Sequence, residues 1–168
     1  MGNKRIGIIN GPNLSVLEER EKDLYGGQSI LAIESELKEK YSEFIRNREN
    51  DFPDLFFFQS NHEGEIIDFL LKNRKDFSAL LINPGGLTHS SYSLLDTLFI
   101  LKNSGILIVE VHLTNPLGRG RNTMITTQAA DICIMGGVKK SYILGLEYIC
   151  SLILKPEKSI DGNLHDQQ

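Results

Sequence analysis

The chain has 168 residues, which is enough for one domain with a substantial core and too few for two ordinary domains. Its 40% hydrophobic and 24% charged residues are typical of a soluble globular protein, and no apolar run is long enough to span a membrane. The net charge of -4 disfavours a nucleic-acid partner, which would require a basic face. The amino-terminal residues contain no long apolar run, so we expect no signal peptide and a cytoplasmic location.

Apolar runs and helical periodicity alternate along the chain. Five short apolar runs predict strands at residues 6–9, 55–58, 79–82, 106–111 and 132–135. Four amphipathic patterns predict helices that begin near Ile30, Ile66, Leu94 and Val138, with Ser29 as the N-cap of the first. This alternation is typical of a parallel α/β sheet. We therefore predict a flavodoxin-like fold, with five strands in the order 2-1-3-4-5, helices on both faces and a ligand crevice between strands one and three.

The composition predicts one catalytic domain over residues 1–155. Residues 47–53 form a polar surface connection in this interpretation. Residues 156–168 contain few apolar side chains and are predicted to be a flexible C-terminal tail.

The stretch from Ile6 to Tyr25 contains the first candidate site. Its apolar strand runs into an Asn-Gly-Pro-Asn turn, and Arg20 and Tyr25 follow in a charged segment. Ligands of parallel sheets bind beyond the carboxyl ends of the strands, which makes these polar residues candidates. Taken alone, the stretch is better explained by a solvated loop, and the residues elsewhere in the chain change that interpretation.

Polar residues also follow the other predicted strands. Asn83 and His89 come after the third strand, and Glu110 and His112 lie two residues apart in the fourth, where they face the same side. A Glu in an apolar run needs a partner, and a neighbouring imidazole supplies one. This pair has a structural or a functional interpretation, and its place at the end of a central strand favours function.

Other kinds of site are not indicated by residue spacing. Cys133 and Cys150 lie in apolar patterns without C-x-x-C spacing, so we predict reduced, buried thiols. The histidines lack metal-ligand spacing and the glycines form no nucleotide-binding loop, so we predict neither a metal nor a cofactor. The basic loop at residues 118–121 is either an exposed loop or an anion-binding lid.

Several motifs occur together in a characteristic order. They are INGPNL at residues 9–14, Arg20 followed by Tyr25-Gly26, FQSNHEGE at 58–65, INPG at 82–85 with Thr88-His89, and VEVHLTN at 109–115. Over residues 5–155 the sequence resembles the type II 3-dehydroquinate dehydratases, flavodoxin-like enzymes of the shikimate and quinate pathways. The resemblance implies a cofactor-free lyase that acts on a cyclic hydroxy-carboxylic acid and assembles as a homo-oligomer, a trimer or a dodecamer.

The resemblance also implies catalytic roles. Tyr25 is the base, and Arg20 holds it as phenolate, because an adjacent guanidinium favours the charged form. His112 is the general acid and Glu110 orients it. Asn13 orders a water that steadies the enolate. Residues 14–28 form a lid over the substrate.

The remaining implied roles concern substrate binding. The substrate carboxylate is held by Asn83 and by the backbone of Leu113 and Thr114. The ring hydroxyls contact His89, Arg119 also binds substrate, and Asp96 acts at a subunit boundary.

The sequence departs from the family pattern in two places. Lys22 replaces a proline after Arg20-Glu21. The segment after Arg119 is shorter, so a substrate-binding arginine of the family falls near Thr123. Arg121 is the candidate replacement.

Two alternatives keep the same scaffold. One is a dehydratase for a related cyclic hydroxy-acid, and the other is a non-catalytic oligomeric binding protein. The joint presence of Arg20, Tyr25, Glu110 and His112 favours an enzyme, because a binding protein has no need of that set. A generic flavodoxin-like cofactor binder is disfavoured by the lack of a phosphate-binding loop.

Overall fold

Five parallel strands form a single sheet at the centre of the protein. A computed structural model of the chain describes residues 4–46 and 52–153. The strands are β1 (Arg5–Asn10), β2 (Asp54–Gln59), β3 (Phe77–Asn83), β4 (Leu107–His112) and β5 (Ile132–Met135). Their order is β2-β1-β3-β4-β5, and every neighbouring pair is parallel. The flavodoxin-like order predicted from the sequence is therefore confirmed.

Helices cover both faces of the sheet. They are α1 (Lys22–Tyr25), α2 (Ile30–Ile45), α3 (Glu63–Asn73), α4 (Tyr92–Asn103) and α5 (Lys140–Ile153). The apolar sides of α2 and α5 bury one face of the sheet, where Ile6, Ile8 and Val109 belong to their core. The apolar sides of α3 and α4 bury the other face with Ile9 and Ile108. Burial of both faces explains why the strands are apolar runs without alternation.

The predicted elements have nearly the observed bounds. Strand β5 coincides with its prediction, and the Ser29 hydroxyl caps α2 by accepting a hydrogen bond from the Ala32 N–H at 3.1 Å. The predicted start of the last helix at Val138 is wrong. Val138 has a φ of 51° and donates its N–H to the Leu113 carbonyl at 2.8 Å, so the chain turns there and α5 begins at Lys140.

Two regions of the sequence prediction lie outside the described residues. The tail at 156–168 is one, and most of the connection at 47–53 is the other. Within the part of the chain that the structure describes, no helix is both long and apolar enough to cross a membrane.

The loops after β1 and β3 approach each other through glycine. A Cβ at Gly11 would lie 2.4 Å from the Pro84 carbonyl oxygen, and one at Gly85 would lie 2.9 Å from the Pro12 carbonyl oxygen. Gly85 also has a φ of 59°, which L side chains rarely adopt. The absence of a side chain at Gly11 and Gly85 thus lets the loops after β1 and β3 pack closely at the edge of the crevice.

We expect Gly11→Ala to destabilise the protein by about 1–3 kcal/mol, because the new methyl group meets backbone that cannot move aside cheaply. Urea unfolding measures the change. The matched control is Gly64→Ala in α3, where a Cβ meets nothing within 4 Å. That variant should be neutral or more stable by up to about 1 kcal/mol. Equal stability of Gly11→Ala and the wild type would contradict the close packing of the two loops.

Candidate active site

A polar cleft of about 180 Å³ opens at the carboxyl ends of β1, β3 and β4. The predicted site residues that line it are Asn13, Arg20, Tyr25, Asn83, His89, His112, Leu113, Thr114, Arg119 and Arg121. The fold therefore brings together side chains that the sequence distributes over more than a hundred positions. Of the predicted set, Glu110 lies buried behind His112, and Asp96 is exposed on α4 and does not line the cleft.

The phenol oxygen of Tyr25 receives hydrogen bonds from two guanidinium groups. Arg20 Nη2 lies 2.5 Å from it and Arg119 Nη1 lies 2.6 Å from it. Arg20 also stacks over the Tyr25 ring, with 3.9 Å from Cζ to the ring centroid. Tyr25 is buried beneath these groups. Two charge-assisted donors aimed at one oxygen favour an anion at that position. The Arg20 contact is predicted from the sequence, whereas the Arg119 contact is not.

Tyr25 is held in place by the segment that precedes it. Leu14 and Leu17 belong to the same core cluster as Tyr25, so residues 14–25 are anchored to the α2 and α5 side of the sheet. The helix α1 then ends at Gly26, whose φ of 82° is the left-handed conformation that terminates a helix.

Glu110 is a fully buried carboxylate surrounded by donors. Its Oε1 atom accepts from the hydroxyls of Thr88 at 2.8 Å and Thr127 at 2.9 Å, and Oε2 accepts from Thr126 at 2.8 Å. His112 Nε2 lies 2.7 Å from Oε1. Burial alone raises the pKa of Glu110, but the hydrogen bonds and charge of His112, together with the threonine hydroxyls, outweigh it and hold the pKa below its usual value.

The charge of Glu110 determines how His112 is arranged. An ionised carboxylate only accepts hydrogen bonds, so the His112 nitrogen that faces it, Nε2, carries a proton. The other ring nitrogen, Nδ1, has no hydrogen-bond partner among the described residues, and His112 lines the cleft. The pair is thus arranged with one ring nitrogen fixed inside the protein and the other available for chemistry.

A relay of hydrogen bonds holds Asn83 at the base of the cleft. Asn83 Nδ2 donates to the Tyr142 hydroxyl at 2.9 Å, and that hydroxyl donates to Asn10 Oδ1 at 2.6 Å. Burial raises the pKa of Tyr142, although the Asn83 hydrogen bond opposes this, so its hydroxyl stays protonated. The Gly85 N–H completes the relay by donating to Asn83 Oδ1 at 3.1 Å. The Asn83 amide is therefore fixed in orientation.

The outer wall of the cleft is built by loops. Asn13 adopts the left-handed conformation, with a φ of 67°, and its N–H donates to Asn61 Oδ1 at 2.9 Å. His89 Nδ1 lies 2.5 Å from the Thr123 carbonyl, which ties the shortened loop to the end of β3. Arg121, two residues earlier in that loop, lines the cleft. In this loop the Thr123 backbone thus contacts His89, and the arginine side chain that lines the cleft is that of Arg121.

The cleft is basic although the chain as a whole is acidic. Arg20, Arg119 and Arg121 line it with two histidines, and its described lining contains no Asp or Glu. The net charge of the chain is -4. A concentration of guanidinium groups and amides of this kind suits a small anion such as a carboxylate.

Several participants were not indicated by the sequence. Thr126, Thr127 and Tyr142 contact site residues only through the folded structure. Cys133 is the β5 register partner of Glu110, and the ligand atoms of Glu110, His112 and Cys133 lie within 4.8 Å of one another, the one such metal-type cluster in the described residues. Spacing along the chain could not show this group, because strand register brings it together. Burial and the Glu110 charge raise the pKa of the Cys133 thiol to about 11.

The fold and the cleft define a flavodoxin-like protein with a polar, basic cleft at the carboxyl edge of its sheet. The family model described as Dehydroquinase class II matches residues 4–150. The chain is similar to a 3-dehydroquinate dehydratase of Halothermothrix orenii, with 39% identity over 90% of this chain and 97% of that protein. A 3-dehydroquinate dehydratase of Thermotoga petrophila is 41% identical over 84% of this chain and 92% of its own length.

The solved structures agree with these sequence comparisons. The type II dehydroquinase of Butyrivibrio crossotus has a TM-score of 0.78 and 32% identity, and the match covers 89% of this chain and 99% of that one. The chain therefore belongs to the class II dehydroquinase family, and it is an enzyme of the lyase class.

The charge of Glu110 should affect how the free energy of unfolding depends on pH. Because its pKa in the folded protein lies below the ordinary value of 4.5, ionised Glu110 contributes stability that is present above that value. The contribution is lost as the pH falls through the lower, folded pKa. We expect Glu110→Gln to be less stable than wild type at neutral pH by about 1–3 kcal/mol, and the difference to shrink on acidification.

Urea unfolding at neutral pH and at stepwise lower pH tests this expectation. The matched control is Glu39→Gln, since Glu39 is exposed on α2. It should follow the wild-type pH dependence. A stability difference between Glu110→Gln and wild type that stays constant as the pH falls through and below 4.5 would contradict an ionised Glu110.

Proposed function

We propose that the protein removes water from 3-dehydroquinate to give 3-dehydroshikimate, with Tyr25 as base and His112 as acid. The relatives named 3-dehydroquinate dehydratase support the reaction. The observation that carries the mechanism is the placement of two guanidinium groups on the Tyr25 phenol oxygen, in the same cleft as the His112–Glu110 pair.

The first step removes a proton next to the substrate ketone. A free phenol, with a pKa of about 10, is mostly protonated at neutral pH and needs help to act as a base. Arg20 and Arg119 supply that help, because both donate to the oxygen that becomes negative when the proton leaves. The product of the step is an enolate, and a water ordered by Asn13 steadies its oxygen.

The second step expels the C1 hydroxyl. Hydroxide is a poor leaving group, so His112 donates a proton and water departs as the enolate forms the conjugated enone. The buried Glu110 anion stabilises the positive charge that His112 carries before it donates. Nδ1 delivers the proton, because Nε2 is held against Glu110. Tyr25 then loses its proton to solvent and His112 takes one up from solvent, which restores the starting state.

The substrate carboxylate lies at the base of the cleft in this proposal. Asn83 binds it, together with the backbone of Leu113 and Thr114. The relay through Tyr142 fixes the Asn83 amide before substrate arrives, which lowers the cost of binding. His89 and Arg121 contact the ring hydroxyls. Residues 14–28 act as a lid that places Arg20 and Tyr25 over the ring.

Other expectations from the family resemblance stay predictions. These are the trimer or dodecamer, the role of Asp96 at a subunit boundary, the cytoplasmic location, and catalysis without a cofactor or metal. The exposed position of Asp96 on α4 is compatible with a contact to another subunit. The alternatives of a related substrate or of a binding protein are separated from this proposal by the assay below.

The direct test is purified protein mixed with 3-dehydroquinate and monitored by the ultraviolet absorbance of the enone product. We expect turnover by the wild type and its loss in Tyr25→Phe, since the variant lacks the oxygen that takes the proton. Tyr148→Phe is the matched control, because Tyr148 is a half-buried tyrosine of α5 that does not line the cleft. It should retain wild-type activity.

The outcomes separate the hypotheses. Near-normal activity in Tyr25→Phe would disprove Tyr25 as the base. No product from the wild type, together with calorimetric binding of 3-dehydroquinate, would favour the binding protein. No product and no binding would favour a related substrate.

Arg121→Ala should raise KM by about tenfold to a hundredfold and change kcat less. A hydrogen bond to a charged group contributes about 1.5–3 kcal/mol, and a contact made equally in the bound and transition states affects binding alone. The control is Arg46→Ala, an exposed arginine at the end of α2. An unchanged KM in Arg121→Ala would show that the shortened loop does not replace the family arginine.

A further inference from the structure

Cys133 lies beside the proposed acid pair although it takes no part in the proposed reaction. It is the register partner of Glu110 in the β4–β5 pairing, so both side chains project from the same face of the sheet. His112, two residues along β4, projects from that face as well. As a result the Cys133 Sγ atom, a Glu110 oxygen and a His112 ring nitrogen lie within 4.8 Å of one another.

We propose that Glu110, His112 and Cys133 form a binding site for a soft divalent cation, Zn²⁺ or Cd²⁺, and that the bound ion stops the dehydration. The inhibition rests on the proposed function, whereas binding of the ion does not. Thiolate, imidazole and carboxylate are the side chains that coordinate zinc, and three protein ligands with a water in the fourth position are a common arrangement. Mg²⁺ and Ca²⁺ prefer oxygen alone and do not suit this set.

The spacing of the ligand atoms fits an ion after small movements. Tetrahedral zinc with ligands at its usual distances holds their donor atoms roughly 3.3–3.6 Å apart. At present His112 Nε2 lies 2.7 Å from Glu110 Oε1, and one ligand atom from each of the three residues lies within 4.8 Å of the other two. The ion therefore enters by separating Nε2 from Oε1 and drawing Sγ inward, which are movements of about 1 Å.

Binding exchanges protons for the ion. The Cys133 S–H bond breaks, its proton passes to solvent and a metal–sulfur bond forms. The ion occupies Nε2, so a neutral His112 carries its proton on Nδ1. Cys133 is only partly buried, and His112 lines the cleft. No oxidation or reduction accompanies these changes.

The ion inhibits because it coordinates His112 Nε2 and a Glu110 oxygen, the two atoms that form the hydrogen bond of the proposed acid pair. With Nε2 and the Glu110 oxygen bound to metal, the carboxylate no longer faces an imidazolium. The ring then cannot exist as the doubly protonated cation that donates a proton in the proposed second step. We therefore expect the bound ion to inhibit the dehydration.

Binding is tested first without reference to catalysis. Titrating the full-length wild-type protein with Cd²⁺ should produce the ultraviolet charge-transfer absorbance of a cadmium–thiolate bond. Cys133→Val should lose this signal, and Cys150→Ala should keep it, because Cys150 lies in α5 outside the cluster. Cys133→Ser, which is nearly isosteric, replaces the valine variant if that one does not fold, as judged by circular dichroism.

Inhibition is tested second, with Zn²⁺ in the 3-dehydroquinate assay. We expect the wild type and Cys150→Ala to be inhibited and EDTA to restore them. Cys133→Val should require at least about tenfold more Zn²⁺, since loss of one ligand costs no less than loss of an outer partner. Mg²⁺ should have no effect.

The two failures are distinguishable. A cadmium signal that persists in Cys133→Val and in Cys133→Ser, or that vanishes in Cys150→Ala, overturns the site. Cadmium binding that depends on Cys133 without zinc inhibition of an active enzyme overturns the inhibitory role. An enzyme that never turns over 3-dehydroquinate overturns the proposed function and leaves the cadmium experiment to decide the site.

Discussion

A buried carboxylate, Glu110, is the constraint on which the active-site architecture depends. An ionised group without solvent contact must be satisfied by donors, and here the donors come from three separate segments. Thr88 follows β3, Thr126 and Thr127 precede β5, and His112 ends β4. A backbone hydrogen bond also joins the segment after β3 to the segment before β5, because the Ile125 N–H donates to the Thr88 carbonyl at 2.5 Å. Satisfying one charge therefore fixes the loops at the carboxyl edge of the sheet and the orientation of His112.

Elsewhere in the cleft, the guanidinium groups of Arg20 and Arg119 both donate hydrogen bonds to the phenol oxygen of Tyr25. Tyr25 and Arg119 are 94 residues apart in the sequence, yet they are joined by a hydrogen bond that links the segment after β1 to the loop after β4. The proposed base and acid thus belong to two networks of opposite charge, arginines around Tyr25 and a carboxylate behind His112. The loops that carry Gly11 and Gly85 approach each other closely at the same edge of the sheet. The two networks are separate, because the hydrogen bonds to the Tyr25 phenol oxygen and those to the Glu110 carboxylate share no residue.

The sequence predicts the fold well because the central strands β1, β3 and β4 are buried on both faces and therefore read as apolar runs. Ser29 is recognisable as a cap because a serine directly before an amphipathic pattern is a local signal for the start of a helix. Val138 is mistaken for a helical residue because its hydrophobic spacing continues that of α5, whereas its left-handed backbone is set by a tertiary hydrogen bond to Leu113. Cys133 becomes a neighbour of Glu110 only through strand register, and the contacts of Thr127 and Arg119 require folded loops. No local pattern encodes such contacts, so they could not be predicted.

Nuclear magnetic resonance of ¹⁵N-labelled His112 and of the ¹³C-labelled Glu110 carboxyl group tests the central claim most directly, namely that a buried anion holds the proposed acid. At a pH where the ring is neutral, we expect its proton on Nε2 and a carboxylate signal for Glu110. Glu110→Gln identifies the carboxyl resonance by its absence. A ring proton on Nδ1 together with a protonated Glu110 carboxyl, donating to Nε2, would contradict the account.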